Sequence, residues 1–242
     1  MRLTEVSSVP EESTLDPLSS FIQSMEAEAE ARDSYSVVKR CFDFTVAFVL
    51  LVLSFPLLLV LALCVKLSSK GPVFFVQERV GKGGKPFKFY KFRSMKHNND
   101  TSIHEAYMQK LIKGEVEGND AEDKPQFKIE NDPRITEFGH FIRKTSLDEL
   151  PQLFNVLNGT MSLVGPRPPI PYEVQAYKSW HLQRLSVKPG VTGLWQVSGR
   201  SSIAFDEMVQ LDLEYIERKN LLLDLKILFQ TIPAALNTST AA

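Results

Sequence analysis

Asp148 and Glu149 are adjacent carboxylates in a basic neighbourhood. An ionised carboxylate can attack phosphorus as a nucleophile, and a carboxylate can also ligate a hard cation such as Mg2+. Acidic side chains at a helix start also complement the dipole and cap free amides. The residue pair by itself leaves both readings open. Arg134, Arg143, Arg167 and Arg200, with Lys91 and Arg93, supply positive charge in the flanking segments. The planar guanidinium fork matches phosphate oxygens, so together these side chains suggest a phosphate-handling site. Cys41 and Cys64 form no disulfide framework, and His97, His104, His140 and His181 lack zinc-ligand spacing.

Several elements must position these groups. The pattern from Ile142 to Leu157 predicts a helix, with Leu147, Leu150, Leu153, Phe154 and Leu157 as its apolar stripe. Ser146 and Glu149 have capping-box spacing, whereas Pro151 fits only a first turn and implies an interruption. Val73–Val76 and Phe87–Phe92 read as short strands joined by the glycine-rich basic turn Arg79–Lys85. That turn does not have P-loop spacing and reads as a hairpin loop. Residues 97–128 are polar, with a helical piece near Ala106–Ile112. Gly165-Pro166-Arg167-Pro168-Pro169 and Lys188-Pro189-Gly190-Val191-Thr192-Gly193 read as rigid loops carrying basic residues. Phe205–Leu236 is helical by pattern, with an apolar C-terminal part that suits either the core or a bilayer interface.

Charge and hydropathy divide the chain further. The net charge is -1, but residues 1–33 carry eight acidic residues against Arg2 and Arg32, a net of -6 that leaves +5 on the remainder. The acidic stretch reads as a mobile tail, and the basic remainder suits anionic partners. Phe44–Val65 contains no charged residue and is long enough to cross a hydrocarbon core of roughly 30 Å. Pro56 predicts a break or kink, and Ser54 is placed to bond a freed carbonyl. Lys39 and Arg40 precede this segment and Lys66 and Lys70 follow it, so positive charge gives a span no orientation. The residues allow a re-entrant helix and a kinked span equally.

The run from Arg143 to Pro168, centred on Ser146-Leu147-Asp148-Glu149-Leu150-Pro151-Gln152-Leu153, closely resembles the bacterial sugar transferases of the monotopic phosphoglycosyl transferase family. Lys39–Asp43, Gln77–Gly81, Tyr90–Met95, Lys188–Gly193 and Asp224–Ile227 are similar to the same family, and the resemblance covers about residues 37–232. It implies transfer of a sugar-1-phosphate from a UDP-sugar, expected to be a hexose, to undecaprenyl phosphate. By this resemblance Asp148 is the covalent nucleophile and Glu149 a Mg2+ ligand. Lys91, Arg93, Arg143, Arg167 and Arg200 are expected to make phosphate or nucleotide contacts. Ser54 and Pro56 are expected to mark the break of a re-entrant membrane helix. The expected setting is the cytoplasmic face of a bacterial inner membrane, in exopolysaccharide or surface-glycan synthesis.

The expected fold is α+β: mostly helical with a small β-hairpin, anchored by a re-entrant broken helix and interfacial amphipathic helices. Residues 1–33 form the tail, 34–67 the membrane helix and 68–242 the catalytic domain. Two competing readings are a glycosyltransferase that moves the sugar without its phosphate, releasing UDP, and a non-catalytic membrane interaction protein.

Overall fold

The computed structural model describes residues 34–96, 108–109, 112, 134–198 and 204–236. The acidic tail, Arg200 and most of the helical piece expected at Ala106–Ile112 lie outside the described residues.

The first element is a helix, α1 (Ser34–Ser68). At 1.5 Å per residue it is about 50 Å long. Asp43, Ala47, Leu51, Leu58, Leu61 and Val65 are buried along it, at the spacing of one helical face. The opposite face exposes Phe44, Phe48, Val52, Phe55, Leu59, Leu63 and Leu67. The helix packs chiefly against α3 (Gln152–Asn158), with α2 (Glu137–Lys144) and β3 (Ser162–Val164) also in contact.

Of the break or kink expected at Ser54-Pro56, α1 shows no break in helical backbone, since it continues through Pro56. Pro56 has no N–H to donate. Ser54 Oγ donates to the carbonyl of Leu50 (2.6 Å), one turn before it.

A two-stranded antiparallel hairpin follows, β1 (Phe74–Val80) and β2 (Pro86–Phe92). Its loop includes a 3-10 turn at Lys82–Gly84, so the glycine-rich basic segment is a hairpin turn. β1 extends to Val80, past the expected end at Val76, and brings Arg79 into the paired region opposite Phe87. Asn155, fully buried on α3, accepts from Tyr90 N and donates to Lys88 O, fastening α3 to β2.

The two proline-glycine loops flank a second pairing that the sequence did not suggest. β3 runs parallel to β4 (Gly190–Thr192). Gly190 is required there, since a Cβ would lie 2.1 Å from the amide nitrogen of Gly165. This close approach sets the Arg167 loop beside the Lys188–Gly193 segment.

The remaining helices are α4 (Pro171–Gln175), α5 (Leu194–Ser198), α6 (Phe205–Arg218) and α7 (Leu221–Leu236). A break at Lys219-Asn220 splits the helical region expected over Phe205–Leu236. The last helix has an inverted pattern: Asp224 and Ile227 are buried, while Leu222, Phe229 and Ile232 are exposed. The α+β, mostly helical class is as expected, with the parallel pair added.

Candidate active site

Asp148 and Glu149 sit on a 3-10 turn, Leu147–Glu149, between α2 and α3. The turn is entered through Ser146, whose φ of 57° makes it the one non-glycine residue with positive φ among the described residues. That conformation costs about 1–2 kcal/mol for an L-residue. It is held by Ser146 N donating to Arg143 O and Glu149 N to Ser146 O. The expected capping box is therefore corrected: the left-handed Ser146 makes no side-chain cap. Pro151 caps α3, in agreement with the interruption its position implied.

Lys91 on β2 joins the two carboxylates. Its Nζ donates to Glu149 Oε1 at 2.6 Å and lies 3.9 Å from Asp148 Oδ2. The Asp148 side chain is 10% exposed and that of Glu149 is 35% exposed, so one carboxylate is recessed and the other faces the opening. The Asn155 clamp fixes β2 on α3 and so sets the distance between Lys91 and this turn.

Lys91 and Glu149 line a cleft with Arg79, Gln152, Arg167 and Pro168, closed by Phe89, Gly190, Val191 and Gln196. Arg167 makes no hydrogen bond or ion pair among the described residues and is available to an anion. The structure thus brings together Lys91, Glu149 and Arg167, with Asp148 at the back of the pair.

Arg143 and Arg93 are not among the cleft-lining residues. Arg143 lies in the last turn of α2, three residues before Ser146. Arg93 is turned away: its Nη2 donates to Val65 O (3.2 Å) and Ser69 O (2.6 Å), at the C-terminal end of α1. Arg93 thus sits at the end of α1 and not at the cleft, with its Nε and Nη1 buried without a partner among the described residues. A cation beside the last carbonyls of a helix complements the dipole and holds that end in place.

Among the lining residues missed as site residues are Arg79, Phe89, Gln152 and Gln196. The sequence places Arg79 in the family-like run Gln77–Gly81 and at the start of the basic turn, without marking it as a site residue. Its position on the buried end of β1 depends on strand length, which the glycine-rich turn obscured. For Gln152 and Gln196 no spacing signal exists.

The donor set fits Mg2+. That ion commonly uses one or two carboxylates and completes its shell with water and substrate phosphate. Asp148 and Glu149 provide two, and among the described residues no third acidic, His or Cys ligand joins them.

Residues 34–238 match the model of the bacterial sugar transferase family. The chain belongs to that family. It is 44% identical over 211 residues to an undecaprenyl-phosphate galactose phosphotransferase of Salmonella typhimurium, covering 87% of this chain and 43% of that protein. It is 40% identical over 209 residues to the exopolysaccharide production protein ExoY of Rhizobium meliloti, covering 86% of this chain and 90% of ExoY. It is 41% identical over 219 residues to a UDP-glucose:undecaprenyl-phosphate glucose-1-phosphate transferase of Xanthomonas campestris, covering 87% of this chain and 41% of that protein. This family member therefore spans less than half the length of two of these relatives and most of the length of ExoY.

Proposed function

We propose that the protein transfers a sugar-1-phosphate from a UDP-hexose to undecaprenyl phosphate, as the first membrane step of exopolysaccharide or surface-glycan synthesis. The observation that carries this reading is the Lys91-bridged pair Asp148-Glu149, held on a left-handed turn at a cleft that also contains Arg167. The names of the relatives supply the substrate classes.

An Asp148 carboxylate oxygen attacks the sugar-bearing phosphorus of the donor. The bond from that phosphorus to the bridging oxygen breaks, and UMP leaves with the electron pair. A lipid phosphate oxygen then attacks the same phosphorus and displaces Asp148, giving a polyprenyl diphosphate sugar. The bond between the anomeric carbon and oxygen is never broken, so the anomeric configuration is retained. Lys91 orients both carboxylates, and Arg167 binds donor phosphate. Arg143 and Arg200 are assigned to donor contacts by family resemblance alone. Glu149, with Asp148 beside it, would hold Mg2+. When bound, the ion supplies neutralisation of diphosphate charge.

The membrane reading rests on the exposed apolar faces of α1 and α7. Both ends of α1 are tied to one body: Arg40 donates to Val156 O and Leu157 O at one end, and Arg93 to Val65 O at the other. An independent span would draw this polar body into hydrocarbon, where unsatisfied groups cost several kcal/mol each. We therefore place both ends of α1 on the cytoplasmic side, with the exposed stripe in lipid.

Assay of the nucleotide product tests the reaction. Purified protein with UDP-hexose, Mg2+ and polyprenyl phosphate should release UMP. UDP as the sole product would instead establish sugar transfer without phosphate, and no release with any UDP-sugar would favour a non-catalytic role.

A further inference from the structure

Arg79 is more than nine-tenths buried, yet among the described residues it forms no ion pair. Its Nη1 donates to Pro168 O (2.9 Å), and its guanidinium carbon lies 5.1 Å from the Phe89 ring centroid. Its Nε is buried without a partner. The nearby carboxylates do not neutralise it: Glu173 and Glu149 act on it only from beyond ion-pair range, and Glu173 Oε2 accepts from Ile170 N. The strongest charge effect on it comes from a second cation, Arg167, which lines the same cleft. A buried cation under the influence of another cation is unfavourable unless an anion binds beside them. Burial first, and the Arg167 charge second, pull the Arg79 guanidinium down to about 10, still protonated at neutral pH.

We propose that Arg79 is a second diphosphate-binding residue, which clasps the diphosphate of the nucleotide donor together with Arg167. Two guanidinium groups match an anion that carries charge on two linked phosphates. Phe89 and Pro168 fix the Arg79 side chain in advance, so little side-chain entropy is lost when the ligand arrives. The inference rests on the functional reading of the cleft. It adds a residue outside the carboxylate turn and assigns the buried end of β1 to donor recognition. The group recognised is a phosphate, so the test must separate the donor diphosphate from the lipid phosphate.

The test is calorimetric binding of UDP, magnesium pyrophosphate, uridine and a short-chain polyprenyl phosphate to full-length protein in nanodiscs. Arg79→Met should weaken UDP and pyrophosphate by roughly tenfold or more. Uridine and polyprenyl phosphate should bind as they do to wild type. The exposed-strand control Lys88→Met, with the same loss of charge on the same hairpin, should bind UDP like wild type. A merely structural Arg79, holding the Pro168 loop in place, would weaken uridine as much as UDP, and that outcome overturns the proposal. So does wild-type UDP affinity in Arg79→Met, or a loss confined to polyprenyl phosphate. If Arg79→Met does not fold, Arg79→Lys decides. It should melt like wild type and bind UDP roughly threefold or more weakly, because the ammonium lacks the fork; unchanged affinity overturns the proposal. If wild-type protein binds neither UDP nor pyrophosphate, the functional reading of the cleft fails as a whole, which is a separate result from failure at Arg79.

Discussion

Two clusters in this molecule each join one lysine to two carboxylates at nearly the same distances. In one, Lys39 lies 3.8 Å from Asp43 and 2.8 Å from Asp224. In the other, Lys91 lies 3.9 Å from Asp148 and 2.6 Å from Glu149. The first is closed. Asp224 also accepts from Tyr35 OH (3.0 Å) and Tyr215 OH (2.7 Å), and Asp43 accepts from Leu163 N (3.2 Å). It ties α1, β3, α6 and α7 together. The second opens onto the cleft, with Glu149 partly exposed and Arg167 nearby. Lysine and two carboxylates make a structural joint when buried between elements, and a candidate reactive site when a carboxylate is exposed at a cleft.

Substitutions should separate the two clusters. Asp148→Asn should reduce turnover by about 10³-fold or more, because a nucleophile is removed, with little change in melting temperature. Steady-state UMP release beside a thermal melt checks both halves. Asp224→Ala should do the reverse. It leaves Lys39 without its nearest counter-charge in a buried setting, a loss of about 3–5 kcal/mol measured by denaturant titration. Activity per folded molecule should persist. Equal losses of activity in the two variants would erase the distinction.

The Asn155 clamp couples scaffold to site and should give an intermediate effect. Asn155→Ala strands Tyr90 N and Lys88 O, at about 1–3 kcal/mol of stability. It also frees β2 to shift, so turnover should fall further than the melting curve alone accounts for.

The smallest effect concerns His181. Burial against Trp180, Tyr177 and Phe205 is the main cause holding its imidazole below the usual value, offset in part by Asp206. Lys178 and Arg184 also disfavour a second proton. A depressed histidine contributes stability that is present above its unfolded value of about 6.5 and is lost as pH falls through the folded value. His181→Gln should therefore flatten the acid side of the stability profile. An unchanged slope would show that His181 titrates normally.

Much of this contrast was legible in the sequence, but unevenly. The hairpin, the apolar helix and the interruption at Pro151 follow from local rules that act within a few residues. Asp148, Glu149, Lys91 and Arg167 were identified by residue type and resemblance. The Lys39 cluster depends on Asp224, 185 positions away, and no local pattern announces such a pairing. The β3–β4 ladder was hidden because proline and glycine on both sides read as loops, while the fold uses Gly190 for close backbone approach. Arg93's place at the end of α1 was not legible either, because an arginine in a basic motif has the same appearance whether it meets a phosphate or the carbonyls at a helix end. Ser146 was misread for a related reason: capping-box spacing does not reveal a positive φ.

The proposed reaction requires that Asp148 be the group that becomes covalently modified. Protein incubated with UDP-hexose and Mg2+, without lipid phosphate, should be quenched, digested and analysed by mass spectrometry. A hexose-phosphate adduct on Asp148, discharged when polyprenyl phosphate is added before quenching, is the predicted result. An adduct on Glu149, or turnover to UMP with no protein adduct at any time point, would contradict it.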